Sequence, residues 1–272
     1  MRDSVRKMEE TYHMEYDYEW FKKSVFSLTR IDLNAYKEKQ MKRRIDTLIG
    51  KYGIAGYDKF MDRLKTDKDV LDTFVTYLTI NVSEFFRNVD QWNLMDKEMV
   101  PELMQKFGKN LKIWSAACST GDEPYTIVML LSQHLPLNQI SVLATDLDAV
   151  ALEKAKAGVY AAKEIMGVPE DLKRKYFTQE GSTYRISDEI KSRVTFKRAD
   201  LLRDPYPSDY HLIVCRNVLI YFTEEAKDET FRKFYNALAP QGILFIGSTE
   251  QIINYRDMGF QRKNSFYYEK SK

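Results

Sequence analysis

The stretch from Leu111 to Leu131 constrains the fold of this chain more than any other. It begins as a short apolar run, passes through small residues to the single glycine Gly121, and continues after Pro124 as an amphipathic stretch. This order predicts a strand, a tight turn and a helix, because proline suits the first turn of a helix. Small side chains and free N–H groups at the helix start favour a polar or anionic ligand. Ordinary packing of a turn against a helix explains the same pattern, so the stretch alone identifies no ligand.

From Leu111 onwards strands and helices alternate, which predicts a parallel sheet with right-handed crossovers. A second strand, residues 140 to 145, runs into Asp146, Leu147 and Asp148. An acidic residue at the end of the second strand, about 25 residues past the glycine turn, is where nucleotide-binding sheets hold ribose hydroxyls. We expect Asp146 to take this role, while Asp148 caps the helix that follows.

The alternation is interrupted between residues 158 and 193, where a hairpin predicts a small inserted β-subdomain at about residues 160 to 193. Near the end of the chain, residues 260 to 268 predict two short strands around a turn. The first turn has one glycine where the dinucleotide motif G-x-G-x-x-G has three. This difference argues against a nicotinamide dinucleotide and favours S-adenosylmethionine, which needs the ribose carboxylate but has no pyrophosphate to hold.

The first 95 residues read as helices, so we predict a helical domain over residues 1 to 95 and an α/β domain over residues 96 to 272. A helix beginning near Asp32 and running to Ile49 carries many basic residues. Its basic side chains form either a solvated face or a docking surface for an acidic partner. The candidate docking residues on this helix are Lys39, Lys42, Arg43 and Arg44.

The end of the first predicted domain is a linker to the second, and it contains a polar segment that includes Asn81, Ser83 and Arg87. These three side chains span two helical turns at most, so they are close enough to meet one ligand. Ser83 is a plausible helix N-cap. The plainer interpretation of the segment is a cap followed by a surface arginine.

The composition excludes several classes of function. The formal net charge of +2 gives no general affinity for nucleic acid, and the two cysteines and three histidines have no metal-ligand spacing. We therefore predict no metal and a reduced, cytoplasmic compartment. No apolar run reaches the length of about 20 residues that a membrane span needs, so we expect no membrane insertion.

Four motifs, taken in order, resemble the chemotaxis receptor methyltransferase family (CheR). They are residues 81 to 87, 114 to 126, 146 to 148 and 215 to 222, and the similarity covers nearly the whole chain from about Phe21. The resemblance implies a Rossmann-like methyltransferase sheet of seven strands with a terminal antiparallel hairpin and an N-terminal all-helical domain. It also implies methyl transfer from S-adenosylmethionine to glutamate side chains on the cytoplasmic helices of methyl-accepting chemotaxis receptors.

The resemblance also assigns roles to individual residues. Glu123 would bind near the methionine amino group and Asp146 the ribose, while Arg87 and Tyr221 would lie nearest the transferred methyl. Two residues depart from the usual pattern: Asp122 stands where glutamate is frequent, which leaves open whether it or Glu123 touches the cofactor, and Asp200 stands where asparagine is frequent. The expected cofactor-binding residues are Asn81, Ser83, Arg87, Glu123, Asp146, Asp200, Leu201, Asn217 and Val218.

An acceptor glutamate is ionised at neutral pH, so it is already a nucleophile and needs no general base. We expect Arg87 to orient this carboxylate and Tyr221 to donate a hydrogen bond, since in-line displacement depends on positioning. The short hairpin turn from Gln179 to Thr183 favours docking that is independent of a receptor peptide. We expect a monomer that is recruited to membrane receptor clusters. Two alternatives are a methyltransferase of the same fold with another carboxylate or protein acceptor, and a non-catalytic cofactor-binding adaptor.

Overall fold

The computed structural model describes residues 16 to 271, which form two compact units. Within the described residues, the first unit comprises residues 16 to 80 together with Tyr221–Ala226, and the second comprises Asn81–Ile220 and residues 227 to 271. Among the described residues, no helix is both long and apolar enough to cross a membrane.

The first unit is helical, as the sequence predicts. Asp17 caps the first helix by accepting the N–H of Trp20 at 2.8 Å, and Asp67 caps the fourth in the same way. The rings of Phe21, Phe60 and Phe74 are fully buried and contact one another, with centroids 5.8 to 6.2 Å apart. The helices are α1 (Tyr18–Thr29), α2 (Glu38–Lys51), α3 (Tyr57–Thr66) and α4 (Lys68–Thr79).

The basic helix begins later than the sequence predicts. Asp32 does accept a local backbone N–H, that of Asn34 at 3.0 Å, but it caps only the 3-10 turn Leu33–Ala35. The backbone then extends at Tyr36, and α2 starts at Glu38. Asp32 is a capping residue, as predicted, but it caps the 3-10 turn and not α2.

The second unit contains a seven-stranded sheet in the order β6-β2-β1-β7-β8-β10-β9. Strand β1 lies between β2 and β7 and is parallel to both. Strand β10 runs antiparallel to its neighbours β8 and β9, so the sheet closes with an antiparallel end. This confirms the predicted fold class. The strands are β1 (Ile113–Ser115), β2 (Val142–Asp146), β6 (Val194–Arg198), β7 (Tyr210–Cys215), β8 (Leu238–Ile246), β9 (Phe260–Arg262) and β10 (Tyr267–Lys270).

A separate three-stranded antiparallel sheet, in the order β3-β5-β4, occupies the predicted insertion. Its β4–β5 hairpin has a two-residue turn in which Gly181 adopts φ 61°, a conformation that glycine tolerates well. The strands are β3 (Val159–Ala161), β4 (Phe177–Glu180) and β5 (Thr183–Ile186). The helices of the second unit are α5 (Val89–Leu94), α6 (Val100–Phe107), α7 (Asp122–Leu131), α8 (Ala149–Ala157), α9 (Glu170–Tyr176), α10 (Asp188–Lys191) and, beginning in the first unit, α11 (Glu224–Ala237).

The division between the units falls at residues 80 and 81, earlier than the predicted boundary near residue 95. The side chains of Phe85, Phe86 and Trp92 are buried in the same apolar core as β1 and α7. A π turn at Met95–Met99 separates α5 from α6. Burial of these aromatic rings groups the segment after Ile80 with the sheet.

Candidate functional site

The candidate site lies at the carboxyl ends of β1, β2 and β7. Ser115, the last residue of β1, pairs with Ala144 of β2 and Val214 of β7. The chain leaves β1 towards β2 on one side, whereas β7 lies on the other, so β1 is a topological switch point. Open α/β sheets bind ligands at such points.

The turn after β1 is held to both neighbouring strands. The N–H of Ala116 donates to the carbonyl of Val214, and that of Cys118 donates to the carbonyl of Thr145. Gly121 adopts φ 91°, and a Cβ there would lie 2.9 Å from the Cβ of Ala155. The single glycine of the motif is therefore required both by its backbone conformation and by close packing against α8.

The carboxylate of Asp146 lies at the end of β2 and faces this turn. Its two oxygens accept the N–H groups of Ser119 at 2.7 Å and of Asp148 at 2.9 Å. Each oxygen keeps a lone pair for a further donor. Burial raises the pKa of Asp146 to about 6. Asp148 accepts the N–H groups of Val150 and Ala151 and caps α8, which confirms its predicted structural role.

Asn81 joins this cluster from outside the sheet. Its Nδ2 donates to Asp148 Oδ2 at 2.6 Å, and its Oδ1 accepts from Ser119 Oγ at 3.0 Å. A predicted site residue from the segment before the sheet therefore contacts the loops that follow β1 and β2.

Ser83 and Arg87 lie farther along the same segment. Arg87 Nη1 donates to the carbonyl of Val82 at 3.0 Å, which folds the segment back on itself. The predicted N-cap at Ser83 was wrong, because the next helix starts at Val89 and Asn88 precedes it. The segment instead turns through a left-handed residue, Phe86, with φ 53°.

Glu123 and Asp122 have different surroundings at the start of α7. Glu123 Oε1 accepts from Ser115 Oγ at 2.8 Å, and its Oε2 lies 3.8 Å from Arg216 Nη1. Asp122 is more deeply buried and accepts from the hydroxyl of Thr120. Burial raises the pKa of Glu123 to about 7, and it also raises the pKa of Asp122. Of the two carboxyls, Glu123 is the one beside the end of β1.

The residues after β6 form a tight turn. Asp200 Oδ1 accepts the N–H of Leu202, and Leu201 is buried with its carbonyl bonded to the hydroxyl of Tyr206. The N–H of Ala199 donates to the carbonyl of Asp146 at 2.9 Å, so this turn adjoins the Asp146 cluster. Burial raises the pKa of Asp200.

Asn217 begins the loop after β7 in the left-handed conformation, with φ 61°. Its side-chain Oδ1 is buried and accepts no hydrogen bond from any described residue. A buried polar atom without a partner is rare in native proteins, and a bound ligand is one explanation.

Family models match both parts of the chain. Residues 16 to 79 match the model described as "CheR methyltransferase, all-alpha domain", and residues 81 to 266 match "CheR methyltransferase, SAM binding domain". The chain belongs to the CheR methyltransferase family. Residues 81 to 266 are accordingly a methyltransferase domain that binds S-adenosylmethionine, and the predicted family and coenzyme are confirmed at this level.

Individual CheR relatives match along nearly their whole length. A chemotaxis protein methyltransferase of Listeria innocua is 41% identical over 95% of this chain and 98% of the relative. One from Listeria monocytogenes is 40% identical over the same shares of the two chains. One from Borreliella burgdorferi is 29% identical over 88% of this chain and 89% of the relative.

Arg216 is a buried residue of this CheR chain that lies beside Glu123 and that the sequence motifs did not single out. Its Nη2 donates to the carbonyl of Arg87 and to Gln91 Oε1, at 2.7 and 2.8 Å. Its guanidinium also lies over the rings of Trp92 and Phe245. The signal available in the sequence was an arginine directly after an apolar strand. A charge that is buried at such a position needs partners.

Val218 follows Asn217 in the second unit, whereas Tyr221 and the predicted residues of α2 belong to the first unit. The carbonyl of Tyr221 accepts the N–H of Lys37 at 2.9 Å. On α2, Arg44 donates to the carbonyl of Tyr77 at 2.5 Å and lies over the Tyr77 ring, whereas Lys42 pairs with Asp46 at 2.9 Å.

Lys39 and Arg43 are exposed on α2, and neither makes an ion pair within residues 16 to 271. The docking role of α2 stays a prediction.

No group of three or more histidine, cysteine, aspartate or glutamate side chains suited to a metal occurs among residues 16 to 271.

Proposed function

We propose that this protein transfers a methyl group from S-adenosylmethionine to glutamate side chains on the cytoplasmic helices of chemoreceptors. Membership of the CheR family supports the reaction class. The observation that carries the proposal is the convergence of Asn81, Glu123 and Asp146 on the carboxyl edge of β1 and β2.

The acidity of this edge fits the cofactor. Burial raises the pKa values of Asp122, Glu123 and Asp146, for Glu123 even with Arg216 beside it, so a bound cation would favour the ionised form of these carboxyl groups. S-adenosylmethionine carries a sulfonium and an ammonium group. We assign Glu123 to the ammonium group and Asp146 to the ribose hydroxyls.

The remaining assignments follow from position along the sheet edge. Asp200 and Leu201 adjoin Asp146 and are assigned to the adenine end. Asn217 and Val218 follow β7 on the other side of β1 and are assigned to the methionine end, where the unpartnered Oδ1 of Asn217 would accept a donor. Asn81 holds the loops beside the carboxylate of Asp146 through its hydrogen bonds to Asp148 and Ser119. Ser83, in the same segment as Asn81, is assigned as a further contact of the cofactor.

When bound, the cofactor would supply an electrophilic methyl carbon to the ionised acceptor carboxylate, with S-adenosylhomocysteine as the leaving product. Arg87 is proposed to orient the acceptor by a charge-assisted hydrogen bond. Tyr221 is proposed as a hydrogen-bond donor near the methyl, and for this residue the proposal depends on the family motif alone.

For receptor docking we propose the exposed cations Lys39 and Arg43 of α2. Lys42 contributes less to docking because it is paired with Asp46, and Arg44 is bonded to Tyr77. The two-residue β4–β5 turn leaves little loop to hold a peptide, which favours docking without one.

The decisive experiment uses methyl-labelled S-adenosylmethionine and a cytoplasmic fragment of a chemoreceptor, followed by treatment with base. Release of the label as methanol is expected, because glutamyl methyl esters hydrolyse in base. The matched control is the same receptor fragment with its acceptor glutamates changed to alanine, which should take up no label.

The other outcomes contradict the proposal in distinct ways. Base-stable label on the receptor would identify a methyltransferase that acts on another atom. Label on a free carboxylic acid but none on any receptor would indicate a small-molecule acceptor. Cofactor binding without transfer to any acceptor would indicate a non-catalytic adaptor.

A further inference from the structure

Four backbone N–H groups converge on the carboxylate of Glu250 in the second unit. Oε2 accepts the N–H groups of Asn217 at 2.7 Å and Gly247 at 2.8 Å. Oε1 accepts those of Leu219 at 2.8 Å and Val218 at 3.1 Å. One side chain therefore holds three consecutive residues of the loop after β7 and the first residue after β8.

The local sequence makes this convergence possible. The chain turns directly after β8, and the N–H of Glu250 donates to the carbonyl of Gly247 at 3.1 Å. A Cβ on Gly247 would lie 2.7 Å from Glu250 Oε2 and 2.8 Å from the backbone nitrogen of Asn217. Glycine is thus required at this position because the carboxylate and the loop approach it so closely.

The arrangement is an anion site that the chain fills with its own side chain. Successive N–H groups that point into one concavity bind anions. Glu250 is only 8% exposed, and burial raises its pKa while the four N–H groups act in the opposite direction. Charge-assisted hydrogen bonds are about twice as strong as neutral ones, so this contact fixes the loop firmly.

The loop that Glu250 holds contains a buried polar atom without a partner. Asn217 is left-handed, a conformation that asparagine adopts more readily than most residues other than glycine, and its Oδ1 is buried and accepts no hydrogen bond from a described residue. The backbone N–H of the same residue donates to Glu250 Oε2, so Glu250 fixes the main chain from which this amide projects.

We propose that Glu250 is a positioning residue for cofactor binding, which holds the backbone of Asn217–Leu219 so that the Asn217 amide faces the bound cofactor. This inference depends on the proposed function, which places the cofactor at Asn217. A purely structural role for Glu250 would stabilise the loop without changing affinity. The two roles make different predictions for ligand binding.

The test measures the affinity of the full chain for S-adenosylhomocysteine by calorimetry, with hydrogen exchange at residues 217 to 219 and 247 as a second readout. Glu250→Gln keeps the shape but offers only one acceptor oxygen, and its amide NH₂ would face N–H donors. We expect affinity to fall about tenfold or more. We also expect faster exchange of the loop amides. Glu102→Gln, which removes a carboxylate paired with Lys106 and Lys263, is the matched control and should leave both readouts unchanged.

Gly247→Ala is the second variant. Its methyl group would push the Glu250 carboxylate away from the backbone N–H of Asn217, while the carboxylate itself is kept. It should weaken binding in the same direction. In the unmodified protein, S-adenosylhomocysteine should slow exchange of the same four amides, a result that needs no variant.

Wild-type affinity for S-adenosylhomocysteine in either loop variant would overturn the proposal, even if loop exchange accelerates. Unchanged exchange on ligand binding in the unmodified protein would also overturn it. Failure of the unmodified protein to bind S-adenosylhomocysteine would instead refute the proposed cofactor site.

Discussion

The guanidinium of Arg216 donates a hydrogen bond of 2.7 Å to the main-chain carbonyl of Arg87. The same guanidinium lies 3.8 Å from Glu123. Arg216 therefore contacts both Glu123, which is proposed to bind the cofactor, and the segment that contains Arg87, which is proposed to bind the acceptor. One buried side chain links the two halves of the proposed reaction site.

Arg216→Lys should separate the two functions of this link. A lysine keeps a positive charge near Glu123 but has no planar fork to reach the carbonyl of Arg87 and Gln91 together. We expect kcat to fall about tenfold and the free energy of unfolding to fall by about 1 to 3 kcal/mol. Single-turnover methyl transfer and urea unfolding measure the two effects. Unchanged turnover in a destabilised variant would show that Arg216 only supports the fold.

Arg87→Ala should abolish methyl transfer while leaving the fold intact. Within residues 16 to 271, the side chain of Arg87 hydrogen-bonds only to the nearby carbonyl of Val82, so its loss removes little structure. Turnover and the thermal unfolding midpoint give the two readouts. Arg262→Ala, an exposed arginine on the edge strand β9, is the control and should keep full activity. Near-normal turnover of Arg87→Ala would remove its proposed role.

Cofactor affinity should increase with pH through neutrality. The pKa of Glu123 is about 7 in the protein, and the cationic cofactor would bind its ionised form. For a pKa of 7, about a tenth of the carboxyl is ionised at pH 6 and about nine tenths at pH 8, so we expect about tenfold weaker binding at pH 6. Calorimetry across this range tests the effect. In Glu123→Gln the cofactor affinity should be low at every pH. If the affinity of this variant still depended on pH, the dependence would belong to a group other than Glu123.

Glu123→Gln should also change how the stability of the protein without ligand depends on pH. The folded-state pKa lies above the ordinary value of 4.5, so the folded protein holds a proton that the unfolded chain releases between these values. Stability of the wild type is therefore lost as pH rises from about 4.5 to 7 and stays lower above it. From pH 5 to pH 8, the unfolding free energy of the variant should therefore rise relative to that of the wild type. Urea titrations at both values decide this, and an equal difference at both would contradict the burial argument.

Receptor docking should depend on the exposed cations of α2. Lys39→Glu combined with Arg43→Glu should raise the KM for a receptor fragment and reduce its dependence on salt, because exposed charges act through long-range attraction. Lys59→Glu combined with Lys65→Glu, exposed on α3, is the control with the same change in charge. If both double variants behave alike, the effect comes from net charge and α2 is not a docking surface. Arg44 is left intact because it bonds to Tyr77.

The local sequence correctly predicted the glycine turn after β1 and the acidic residue at the end of β2, because each depends on a single position. Gly121 marks the turn because only glycine fits there, and Asp146 follows a strand whose apolar pattern is plain. Prediction failed at Ser83, where a serine before two phenylalanines looks like a cap. The burial of Phe85 and Phe86 in the core decides that backbone, and local pattern does not report it.

The local sequence was enough to predict the alternation of strands and helices, the order of the family motifs and the acidic residues at the sheet edge. The contacts between buried side chains could not be predicted, because they depend on how the whole core packs. Arg216 and Glu250 have their partners far along the chain, at Arg87 and at Asn217. Sequence periodicity reports neighbours within one helix or strand, whereas a buried charge finds its partners across the whole folded core.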